Sequence, residues 1–73
     1  MKLIDHVLIH NVKRIMKEKK ILQKDIAKTM GISAQAFSNI ICLKRMVYAD
    51  EVIPLALALN VTIEELFRTP AAE

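Results

Sequence analysis

Residues 23–40, Gln23-Lys-Asp-Ile-Ala27-Lys-Thr-Met-Gly31-Ile-Ser33-Ala-Gln-Ala-Phe37-Ser-Asn-Ile40, decide how this chain reads. Ile26, Ala27 and Met30 recur at helical spacing and predict a helix from Gln23 to Met30 that buries all three. Gly31 follows at once, where a residue with positive φ ends a helix at least cost. Ser33 is placed to cap the next helix, its hydroxyl accepting an orphan backbone N–H. That helix, Ala34 to Cys42, has Phe37, Ile40 and Ile41 on its apolar side. Two helices joined by a turn of about three or four residues cross steeply. Ala27 is expected where they approach most closely, with Ile32, Phe37 and Ile40 locking the second helix onto a core. Gln35, Ser38 and Asn39 remain outward, short polar side chains of a size that reaches base edges.

Upstream, Leu8, Val12, Ile15 and Met16 form an apolar stripe that predicts a helix from Asp5 to Lys19. Downstream, residues 43–48 read as a loop, and Val52, Ile53, Leu55, Ala56 and Leu59 give the apolar side of a helix from Ala49 to Leu59. Pro54 falls inside it and removes a backbone donor unless that helix starts as late as Asp50. Asn60 suits a left-handed helix end. Thr62-Ile63-Glu64-Glu65 has the capping-box pattern, Thr62 capping forward and Glu65 reaching back. It opens a short fifth helix to Phe67 or Arg68, and residues 69–73 read as a frayed tail. Strand signals are nearly absent, so the expectation is an all-α orthogonal bundle of five short helices. Residues 1–73 make one domain with its core in 11–68.

Composition narrows the function. A chain of 73 residues buries only about 60% of its unfolded surface. Cys42 is the single cysteine, which excludes a disulfide framework and suits a reducing compartment. The apolar stretch in MKLIDHVLIHN is too short for a secretion signal, and no run approaches the ~18–20 apolar residues of a membrane span. A cytoplasmic protein is expected. Apolar residues are 53% of the chain, so some of them face outward or a second subunit.

Residues 1–30 carry eight Lys or Arg against three acids, and residues 31–73 carry three against five. One basic half is the electrostatic footprint of a polyanion binder. His6 and His10 share a helix face as a metal pair does, but no third ligand accompanies them, and a surface or interface role is expected. Cys42 is read as a buried or interface thiol. Met16, Met30 and Met46 read as core or interface filler. The sequence holds no nucleophile–base pair, glycine-rich phosphate loop or paired carboxylates, so no enzyme, cofactor, metal or small-molecule substrate is expected.

The segment resembles the helix-turn-helix of the phage repressor and Cro-like family, often called the XRE family. The likeness runs from Asn11 (NVKRIMKEKKILQKDIA) through Phe67 (ALALNVTIEELF), about four-fifths of the chain. It implies a lambda-repressor-like bundle whose third helix enters the major groove of double-stranded DNA. Gln23 would then hold a phosphate with Lys24 beside it, and Ser33, Ala34, Gln35, Ser38 and Asn39 would face the bases. Gln or Asn can pair bidentately with adenine, and Ala34 can touch a thymine methyl. Lys44 and Arg45 would hold the flanking backbone.

The chain departs from the family pattern at several places. Ile41-Cys42-Leu43 stand where an acidic residue, a polar residue and a glycine are usual. Lys20 stands where a glycine commonly ends the first helix, and Leu22 where Ser or Thr commonly caps the second. The third helix has no Arg, which points to a sequence preference that is either weak or A·T-leaning. The resemblance implies a homodimeric transcriptional regulator, in the first place a repressor. The alternatives are the antitoxin of a toxin–antitoxin pair and a protein-interaction module without DNA binding, which would use the apolar segment 40–47.

Overall fold

Helical periodicity sets the whole architecture. The computed structural model describes residues 3–68, in which α1 (Leu3–Lys19), α2 (Gln23–Met30), α3 (Ala34–Ile41), α4 (Ala49–Leu59) and α5 (Ile63–Leu66) follow one another. No strand occurs among the described residues. Leu8, Val12 and Ile15 of the α1 stripe are buried, and Ile9 joins them. They meet Ile26 and Ala27 of α2, Phe37, Ile40 and Ile41 of α3, Leu55, Ala56 and Leu59 of α4, and Leu66 of α5 in one core. α2 packs chiefly against α4 and α3, while α1 closes on α5.

The helix ends explain how so short a chain turns so sharply. α1 to α4 each finish with one residue at positive φ: Lys20 (57°), Gly31 (76°), Leu43 (62°) and Asn60 (58°). Past each, the next N–H bonds back five residues, Ile21 to Met16 O (3.0 Å), Ile32 to Ala27 O (3.0 Å), Lys44 to Asn39 O (2.8 Å) and Val61 to Ala56 O (3.0 Å). This is the Schellman closure, which satisfies carbonyls that a helix end leaves orphaned. Only one of the four positions is glycine. At Lys20 and Leu43 a side chain is held where Cβ meets the following carbonyl, at a cost of roughly 1–2 kcal/mol each.

Two polar side chains tie the ends of the chain to the bundle. Asn11, 1% exposed, donates both Nδ2 protons, to Leu66 O and Arg68 O at 2.7 Å each. It thereby serves carbonyls at the end of α5. Lys19 Nζ donates to Leu59 O (3.0 Å) and Asn60 O (2.9 Å), placing a cation at the negative end of the α4 dipole.

The structure revises several expectations. α1 starts at Leu3 rather than Asp5, and α3 ends at Ile41 with Cys42 as its C-cap. Cys42 is exposed, so the buried reading of its thiol falls and the interface reading is untouched, and Met30 is half-buried. Ile53 is 59% exposed, because the buried side of α4 is fully taken by Leu55, Ala56 and Leu59. α4 starts at Ala49 and carries Pro54 inside it; Asp50, whose carbonyl a donor there would have served, is an exposed first-turn residue. Thr62 Oγ1 accepts from Glu65 N at 3.2 Å, but the return bond is not made, and the Glu65 carboxylate lies 3.6 Å from Arg68 instead. The return half of a capping box appears on α4, where Glu51 Oε1 accepts from Tyr48 N at 2.9 Å. The expected tail, residues 69–73, lies outside the described residues.

Candidate nucleic-acid interface

α2, the Gly31 turn and α3 form a rigid unit. Gly31 N–H bonds Lys28 O at 3.1 Å, and Ser33 Oγ accepts from Ala36 N at 3.0 Å, so the turn is closed on one side and capped on the other. Ala27 and Phe37 are buried where the two helices meet the core. With Phe37, Ile40 and Ile41 turned inward, α3 presents Ala34, Gln35, Ser38, Asn39 and Cys42 outward. Ala34, Gln35 and Cys42 are exposed and Ser38 and Asn39 half-buried. Gln35 and Asn39, one turn apart, are joined by a hydrogen bond from Gln35 Nε2 to Asn39 Oδ1 at 3.1 Å.

The candidate phosphate residues do not share one environment. Gln23 and Lys24 open α2 and are exposed. Leu22, the N-cap, supplies no side-chain bond, as its aliphatic side chain must. Lys44 is exposed just past α3. Arg45 differs: its guanidinium grips Glu51 bidentately, Nη1 to Oε1 at 3.0 Å and Nη2 to Oε2 at 2.6 Å. It also donates to Met46 O at 3.1 Å and lies over the Tyr48 ring, 5.0 Å from its centroid. The Arg45 hydrogen bonds hold the Glu51 carboxyl below the usual carboxylate range; partial burial opposes this and the Tyr48 N–H adds to it. Arg45 thus braces the α3–α4 loop, a role that the sequence pattern around it does not reveal.

The basic half is also partly committed internally. Arg14 pairs with Glu18 at 3.2 Å, and Lys19 caps α4. Lys13, Lys17, Lys20, Lys24 and Lys28 are exposed and form no ion pair among the described residues. His6 and His10 line one shallow recess with Val7, Ile9, Lys13 and Leu43. No group of three metal-ligating side chains occurs among the described residues. No described helix is long and apolar enough to cross a membrane.

Comparison with known proteins agrees with this geometry. The family model for the Cro/C1-type HTH DNA-binding domain matches residues 11–72. No curated protein matches the sequence. Among solved structures, the chain is similar to the crystal structure of the hypothetical transcription factor NHTF from Neisseria. That likeness has 21% identity and a TM-score of 0.81, covering 92% of this chain and 77% of that one. It is similar also to the solution structure of the SOS-response transcriptional repressor LexA from Eubacterium rectale. There the identity is 19% and the TM-score 0.81, covering 99% of this chain and 77% of that one. At these identities the likeness establishes the fold.

Proposed function

Because the chain belongs to the Cro/C1-type HTH DNA-binding domain family, we propose that it is a transcriptional repressor that binds operator DNA as a homodimer. The outward face of α3 carries this reading. Its small or polar side chains Ser33, Ala34, Gln35, Ser38 and Asn39 stand on a helix fixed at both ends, as major-groove readout requires. Gln23, Lys24 and Lys44 would hold phosphates on either side. Arg45 contributes by holding the loop that carries Lys44, its own charge being shared with Glu51. Two half-sites about 34–36 Å apart would match a two-fold dimer. The homodimer is supported by Ile53 and Leu57, 59% and 70% exposed, which lie four residues apart on α4.

Fluorescence-anisotropy titration of a duplex from the protein's own promoter, repeated over a range of salt, tests the proposal. Affinity should fall linearly on a log–log plot with salt, two protomers binding per duplex. Binding that is flat or absent at every salt concentration sinks it. A second reading, a module that keeps the fold and holds a protein partner, is favoured by Met46 and Tyr48, 50% and 57% exposed. It takes precedence if the protein dimerises and yet ignores duplex DNA.

A further inference from the structure

We infer that Lys13 and Lys17 of α1 hold phosphodiester oxygens of the DNA backbone beside Gln23. The inference deepens the DNA-binding reading and rests on it. Lys13 and Lys17 are four residues apart, so they stack on one face of α1. Together with Gln23 they rim a groove whose floor is Met16, Ile21 and Ile41. Both lysines are exposed. The nearest acid on their helix, Glu18, is engaged by Arg14, so the charge of the rim stands uncompensated. The floor is apolar and holds no carboxylate, and an apolar wall beside exposed cations concentrates their field on an approaching anion.

Position favours a nucleic-acid backbone as the occupant. Ile41, in the floor, is the last residue of α3. Lys13 also lines the recess that Leu43 closes, so it stands alongside the C-terminal end of α3. The groove therefore runs beside the helix whose outer face carries Gln35 and Asn39. A strand whose bases that helix reads would lay its phosphates along such a rim, where flexible ammonium groups act as point charges without demanding a fixed geometry.

The test is the salt dependence of duplex binding by Lys13→Gln, Lys17→Gln, the double variant and Lys17→Arg. Glutamine keeps the helix propensity of lysine and neither lysine has an ion-pair partner to lose among the described residues. The melting temperature should therefore stay at the wild-type value for Lys13→Gln and fall only slightly for Lys17→Gln, which takes a cation from the last turn of α1. Because a bound dimer loses two lysines in each single variant, Lys13→Gln and Lys17→Gln should each reduce the magnitude of the log K against log salt slope by about 1.8, at about 0.9 per phosphate contact. The double variant should reduce it by about twice that, and Lys17→Arg not at all. If the wild type binds with a steep slope that Lys13→Gln and Lys17→Gln both retain, this contact falls while the DNA-binding reading stands. If the wild type itself shows no salt-dependent binding, both fall. If a poly-glutamate peptide, and not the duplex, loses affinity in the two variants, the occupant is an acidic polypeptide and the proposal is overturned.

Discussion

The backbone N–H of Lys44 donates to the carbonyl of Asn39 at 2.8 Å, so the residue proposed to hold a phosphate is tethered to one proposed to reach a base. At the other three Schellman ends the closing residues, Met16 with Ile21, Ala27 with Ile32 and Ala56 with Val61, all belong to the core or pack against it. At α3 both closing residues are polar. The closure of α3 is therefore the one of the four made by polar residues, while Ile41 and Leu43 beside it pack into or against the core.

Three substitutions separate the roles on this surface. Lys44→Ala should weaken binding to all duplexes alike and reduce the salt slope of the bound dimer by about two, about one for each protomer. Gln35→Ala should cost about 1–3 kcal/mol for the preferred base at one position only. Because Gln35 Nε2 is bonded to Asn39 Oδ1, Asn39→Ala should disturb the same position, and the double variant should lose less than the sum of the two. Anisotropy against a set of single-base operator variants reads all three. Uniform loss in each would show that α3 touches only the backbone.

Strain at the helix ends gives a stability prediction. Lys20 holds φ 57° and is exposed, so Lys20→Gly should stabilise by about 1 kcal/mol, raising Tm by roughly 4–8 °C for a domain this size. Leu43 holds φ 62° but packs against the core, so Leu43→Gly trades the same relief for lost burial and should leave Tm level or lower. Equal gains at both sites would contradict the packing given to Leu43.

The scaffold was legible because periodicity and end signals agree: α2 and α4 run between the residues that the pattern marks, and Ser33, Thr62, Gly31 and Asn60 do the local work that their chemistry suits. Sequence could flag Lys20 and Leu43 as standing in glycine positions, but not that the chain would adopt the left-handed conformation regardless. The side-chain ties were not legible. Lys19 reaching α4, Asn11 reaching past α5 and Arg45 reaching Glu51 each depend on the approach of separate elements, and nothing in local composition distinguishes Lys19 from Lys17, or Arg45 from Lys44. Hence the basic half was readable as a charge total, while its division into committed and available cations was not.

Leu22 offers a second gain. It is the N-cap of α2 without a side-chain bond and is 55% exposed, so little packing is lost on replacement. Leu22→Ser should stabilise by about 1 kcal/mol by serving an orphan N–H of the first turn. Urea denaturation measures it, and an unchanged midpoint would mean that the serine fails to cap.

The Arg45–Glu51 pair makes stability depend on pH at the acid end. Glu51 titrates below its ordinary value when folded, so the unfolded chain binds the proton more readily. The stabilisation is present above the unfolded carboxyl range, near pH 4.5, and is lost as pH falls through the lower folded value. Glu51→Gln should cost about 1 kcal/mol at pH 7, and the difference from wild type should shrink as pH drops below about 4. A difference that stays constant from pH 7 to pH 3 would assign the cost to the Arg45 hydrogen bond that the glutamine NH2 cannot accept rather than to charge, since the glutamine carbonyl can still accept from Tyr48 N.

Asn11 allows the sharpest test of how α5 is held. Its amide gives two donors to two carbonyls in a site 1% exposed. Asn11→Leu keeps the size but leaves those carbonyls without donors, costing about 2–3 kcal/mol. Asn11→Asp keeps the shape and reverses the chemistry: above its pKa the side chain has only acceptors to offer two acceptors, and burial adds a desolvation penalty for the carboxylate. Both effects raise the folded pKa of that carboxyl, because its protonated form can donate one bond. The folded state then binds more protons than the unfolded chain, so stability of Asn11→Asp should rise, relative to wild type, as pH falls from 7 to 5. Asn11→Leu, which has nothing to titrate, should hold a constant deficit over the same interval. Urea midpoints for the three proteins at each pH decide the matter, and parallel curves for Asn11→Asp and Asn11→Leu would mean that the α5 carbonyls do not depend on Asn11 as donor.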